Sequence, residues 1–154
     1  MKTNQLFAGA LLLGSVLTMN AQDVSSSPYL VSGGDSAGSQ GAGGTYYGHM
    51  AGKNTYDEGH RNCFFGYGAG LENTMGNQNV FMGFYAGANS TTGVENVFIG
   101  TSAATDNSEG SQNVIIGKGA GNSNAWGTEN VYLGFETGSS VTKGAKQNTH
   151  VGSQ

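Results

Sequence analysis

NVFMGFYAGANSTTGVE, residues 79–95, runs directly into NVFIGTSAATDNSEGSQ, residues 96–112. The two segments are equal in length, and they agree at the opening Asn-Val-Phe, at glycine in positions 5 and 15 and at alanine in position 8. Outward in steps of 17, the asparagine recurs as Asn62, Asn79, Asn96, Asn113 and Asn130. The position-5 glycine recurs as Gly66, Gly83, Gly100, Gly117 and Gly134, and the position-15 glycine as Gly59, Gly76, Gly93, Gly110, Gly127 and Gly144. A degenerate copy around Tyr46, Tyr47 and Gly48 precedes these, and a partial copy, QNTHVG, follows after one inserted residue.

A fixed short period is the mark of a repeat architecture in which each unit stacks only on its neighbours. So short a unit cannot hold a helix pair with its turns, but it suits one turn of a β-solenoid: strand, corner, return strand, loop. Glycine recurs throughout and costs roughly 1 kcal/mol in a helix interior, so helix is disfavoured. The expected fold is all-β, a parallel β-solenoid of about six 17-residue coils. Glycine at positions 5 and 15 permits positive φ or close backbone approach.

Stacking turns each repeat position into a column. Position 2 holds Cys63, Val80, Val97, Val114 and Val131, and position 4 holds Phe65, Met82, Ile99, Ile116 and Leu133. These two share a strand face and are expected to line the interior, opposite the small Ala69, Ala86, Ala103 and Ala120 of position 8. Position 3 holds Tyr46, Phe64, Phe81, Phe98, Ile115 and Tyr132. On that assignment it faces outward as an apolar stripe, and covering it would require an oligomer. The asparagine column is expected to form a ladder of amide bonds.

The chain outside the repeat divides further. Lys2, the apolar run Leu6–Met19 and the small-residue site around Ala21 read as an export signal over residues 1–22, cleaved after Ala21 or Gln22. The run of 14 is short for a membrane span, so no membrane span is expected after cleavage. Residues 23–43 are rich in Ser and Gly and read as a low-complexity linker or N-terminal cap, leaving 44–154 as the repeat domain. Charged residues are only 10% of the chain. An average soluble domain carries about 25%. The net charge of −4 argues against nucleic acid as a partner. The single Cys63 can form no internal disulfide.

Asn96-Val97-Phe98-Ile99-Gly100 and Asn113-Val114-Ile115-Ile116-Gly117 resemble the strand motif of trimeric autotransporter adhesin heads. The 17-residue form is also similar to repeats upstream of chaperone domains in tail-fibre-like proteins. The resemblance implies a left-handed β-roll, a homotrimer, and a structural or adhesive role on the outer surface of a Gram-negative bacterium. It also implies that position 3 is the trimer interface and that the chain is either a module in itself or part of a longer fibre.

No catalytic constellation stands out, and neither enzyme activity nor a cofactor or metal is expected. The histidines are His49, His60 and His150, and the last takes a strand position suited to packing. The runs Gly66–Gly70 and Gly117–Gly121 precede no helix, so they are not read as phosphate loops. The acids Asp57, Glu72, Glu95, Asp106, Glu109 and Glu129 are scattered rather than convergent. Trp126, in a loop, is a candidate ligand contact able to stack on a sugar of a host surface, with local packing the plainer reading. Asp35-Ser36-Ala37 resembles a short bacterial O-glycosylation site, making Ser36 a candidate for modification. The alternative function is a polysaccharide-active or glycan-binding solenoid.

Overall fold

The structure is a computed structural model, and it describes residues 30–56, 58–140 and 143–154. The export-signal assignment lies outside the described residues. Eight three-residue strands form one parallel sheet in sequence order. They are β1 (Val31–Gly33), β2 (Thr45–Tyr47), β3 (Cys63–Phe65), β4 (Val80–Met82), β5 (Val97–Ile99), β6 (Val114–Ile116), β7 (Val131–Leu133) and β8 (Thr149–Val151). Each pairs with the next in unbroken register, as in Val80↔Val97, Phe81↔Phe98 and Met82↔Ile99. The chain is therefore a parallel β-solenoid of about seven turns.

The solenoid extends ahead of Gly44, since Val31 pairs with Thr45 and residues 30–43 form a first, shortened coil. The expected return strand is replaced by turns, and the sheet is the only one among the described residues. The turns are nonetheless tied from coil to coil. Gly70 N–H donates to Ala86 O at 3.0 Å, Gly87 to Ala103 at 2.9 Å and Ala104 to Ala120 at 2.9 Å.

The strand faces are the reverse of the sequence expectation. Tyr46, Phe64, Phe81, Phe98, Ile115 and Tyr132 of position 3 are all 0% exposed and fill the coil interior. Their rings are stacked at 4.7–5.3 Å from Tyr46 through Phe98. They pack on the alanines of position 8, also fully buried. Positions 2 and 4 face out instead, Cys63 and the valines half-buried and Phe65 and Met82 exposed. The reason is space. A coil this short, with a single three-residue strand, has room for one large side chain per turn, supplied by the strand's central residue. Position 3 thus cannot be an oligomer interface, and the route to a trimer through it is removed.

The asparagine column is buried beside that ring column and forms the expected ladder. Each Oδ1 accepts the backbone N–H of the next asparagine. Asn79 Oδ1 takes that of Asn96 at 2.9 Å, and Asn96 Oδ1 that of Asn113 at 3.0 Å. From Asn62 to Asn113 each Nδ2 donates to the position-15 carbonyl of its own repeat, as Asn79 to Gly93 at 2.8 Å and Asn96 to Gly110 at 2.7 Å, while Asn130, ahead of the inserted residue, donates to Ala145 at 2.7 Å. Buried amides satisfied on both sides carry no desolvation penalty of the kind an orphaned group incurs.

The two glycine columns differ in cause. Gly100 sits at φ 130°, and a Cβ there would lie 2.7 Å from the backbone of Gly117, so the site excludes side chains twice over. At position 15, Gly93 and Gly110 have no positive φ. A Cβ on Gly93 would instead run into the Gly110 carbonyl oxygen and lie 3.0 Å from the Asn96 amide. Close approach alone decides these two positions.

Candidate functional site

The interior offers little chemistry. Alongside the rings and the ladder runs a second polar column, Thr55, Asn73, Ser90, Asn107 and Asn124, buried to 3% exposure or less. It is less completely bonded than the ladder: Asn107 Nδ2 donates to Asn124 O at 2.7 Å, but Asn107 Oδ1 and Ser90 Oγ have no partner. Burial raises the pKa of the Tyr46 phenol, which lies near Thr55 and Asn62. Burial likewise raises that of Tyr132.

The outward face of the sheet carries a run of exposed apolar side chains. Position 4 presents Tyr47, Phe65, Met82, Ile116 and Val151, between 37% and 72% exposed. Beside it runs the half-buried valine column with Cys63. Past the position-5 glycines stands a further exposed column containing Tyr67, Phe84 and Phe135. The sequence assignment missed this surface because it placed positions 2 and 4 inside. Alternation is what puts both there once position 3 turns inward.

Rings on this face stack along the rod. Tyr47 and Phe65 lie 5.3 Å apart at 12°, His49 and Tyr67 4.8 Å apart at 13°, and Tyr67 and Phe84 5.3 Å apart at 20°. Nearly parallel rings in a column cover one another's faces and turn their edges to solvent. Lys118 Nζ sits 5.7 Å from the Phe135 ring centroid, a contact worth about 0.5–1 kcal/mol when exposed.

The remaining candidates sit on different coils and do not form one site. Trp126 is half exposed in a turn, with Lys143 Nζ 5.8 Å from its ring centroid. Ser36 is exposed on the first coil at φ 56°, next to Asp35, whose carboxylate is 3.2 Å from His49 Nε2. His150 tilts against Tyr132 at 5.3 Å on the last coil, beside an open depression of about 540 Å³ that also includes Thr137, Val151 and Gln154. Polar groups on the outer turns form short ladders, such as Gln112 to Glu95 at 3.1 Å and Asn89 to Asp106 at 2.9 Å. Among the described residues no three His, Cys, Asp or Glu side chains gather where they could hold a metal ion.

Sheet topology, register and columns together define the class of this protein as a parallel β-solenoid repeat protein, its asparagines bonded from coil to coil at a step of 17 residues from Asn62 to Asn130 and 18 at the last coil. No family model, no curated protein and no solved structure matches the chain.

Proposed function

We propose that the chain is an exported structural and adhesive module of the outer surface of a Gram-negative cell, acting as a rod and without catalysis. What supports this reading is the sameness of the coils. From β2 to β7 every strand turns one large apolar side chain inward and another large apolar side chain outward, and from Asn62 onward each coil adds a ladder amide, so contact surface grows with length. A catalytic solenoid instead needs one group of coils set apart by converging acids or bases. The test is attachment of the producing cells to abiotic and matrix-coated surfaces, with the chain present and deleted. Reduced attachment on deletion is the expected result. Unchanged attachment, with the chain recovered from the cytoplasm, overturns the proposal.

A second reading, glycan binding, is favoured by one observation: the half-exposed Trp126 indole with a cation beside it. Binding to a polysaccharide film that disappears in Trp126→Ala would support it, and binding that is unchanged would remove it.

A further inference from the structure

We propose that the outward face of the sheet, formed by positions 2 and 4, docks a second copy of this chain, sheet face against sheet face. This inference stands on packing alone and is independent of the adhesive reading.

Composition is the first argument. From Val31 to Val151 the two outward positions of every strand contain no charged residue. The charged side chains sit on the turns instead, as with Glu95 and Asp106. The outward strand positions carry none of the chain's charge, and the Lys118 cation lies over Phe135 in the flanking column.

Area is the second. The exposed side chains of position 4, 37–72% exposed and roughly 200 Å² each, present about 500 Å². The valine column and the flanking aromatics bring the face near the ~800 Å² per partner of a stable protein–protein interface. The position-4 side chains alone thus reach the upper part of the ~300–600 Å² range of the largest apolar patch on a typical monomer, a patch that is often functional.

Pitch selects the partner. The face is ridged once per coil, at the strand spacing of about 4.8 Å. A second solenoid of identical rise keeps its ridges in step along the whole length, so side chains interdigitate at every coil. A partner without that repeat meets the ridges in register only locally. A sugar polymer is a poorer fit for another reason: it needs open ring faces, whereas Tyr47 and Phe65 cover each other's faces and offer edges. Edges and aliphatic knobs are what packed sheets interleave.

The experiment uses the purified chain at micromolar concentration, with light scattering for mass and far-ultraviolet circular dichroism for fold. Wild type is expected at two copies or more. Met82→Glu combined with Ile116→Glu replaces two exposed side chains and is expected to give a folded monomer. Cys63, on the same face and half-buried, supplies a second readout. Its thiol should label at least tenfold more slowly in wild type than in the double variant. A folded wild-type monomer with fast Cys63 labelling overturns the proposal, whether the face then proves to bind a polysaccharide film or an upstream segment of the chain. An oligomer that persists in the double variant, with Cys63 labelling unchanged, overturns it by placing the interface elsewhere.

Discussion

The two faces of one sheet are both apolar, yet they have opposite fates. Inward, Phe64, Phe81 and Phe98 stack at 4.7–4.8 Å, fully shielded and flanked by the bonded amides of the ladder. Outward, Phe65 and Met82 repeat with the same regularity and remain open to solvent. Hydrophobicity therefore does not decide which column is core. What decides it is which column the amide ladder accompanies, because the ladder must be dry and unbroken to hold its register.

The largest loss is expected at the corner glycines. Gly100→Val forces a β-branched residue to φ 130° and drives its Cβ to 2.7 Å from Gly117. Both the conformation and the contact are forbidden, so loss of more than ~4 kcal/mol and failure to fold cooperatively are expected in a denaturant melt. A corner glycine that tolerates valine would mean the coils can slip past one another.

Next is the inward column against its outward neighbour. Phe81→Ala should cost about 3–5 kcal/mol, as large-to-small core changes do. Met82→Ala, one residue on and outward, should change the stability of the separated chain by no more than ~0.5 kcal/mol. Equal losses at the two sites would contradict the face assignment.

The amide ladder follows. Asn96→Ala strips an acceptor from the Asn113 N–H and amide and a donor from Gly110 O. Leaving these buried groups unpaired should cost about 3 kcal/mol. Asn148, half-buried at the last coil, should cost under ~1 kcal/mol when changed to alanine. Chemical denaturation of the two variants gives the contrast directly.

The smallest effect is a pH dependence. Tyr46 and Tyr132 are buried neutral, and their pKa values are raised above the ordinary tyrosine value of 10.0. The folded state then holds its protons where the unfolded chain releases them. Stability is fully present below about pH 10 and falls as pH rises through the raised values. The Tyr46→Phe and Tyr132→Phe double variant should flatten the alkaline limb of melting temperature against pH. An identical limb in the variant would show that other groups carry it.

Much of this was legible from residue spacing. The period, the parallel stacking, the corner glycines and the asparagine ladder all follow from identities that recur at one constant step. The orientation of the strand was not, because Val80, Phe81 and Met82 are all apolar and alternation has nothing to contrast. The missing link was parity. Asn79 and Phe81 lie two apart and share a face, so an inward ladder carries position 3 inward with it. The return strand failed for a different reason. Tyr85, Gly87 and Ser102 all take positive φ in the turn segment, a conformation that no extended strand allows. Ser36, Trp126 and His150 could be found as residues but not as a site, since nothing in the sequence fixes how far apart the turns of different coils stand.

The hydrogen bonds between coils run along the length of the rod, and this sets how it answers a pull on its two ends. Tension loads the coil interfaces in series, so the weakest yields while the others hold. Each coil that peels away converts a rise of about 4.8 Å into roughly 55–60 Å of free chain. A tethered rod built this way lengthens in equal steps under load and absorbs work at each one, behaving as a spooled shock absorber.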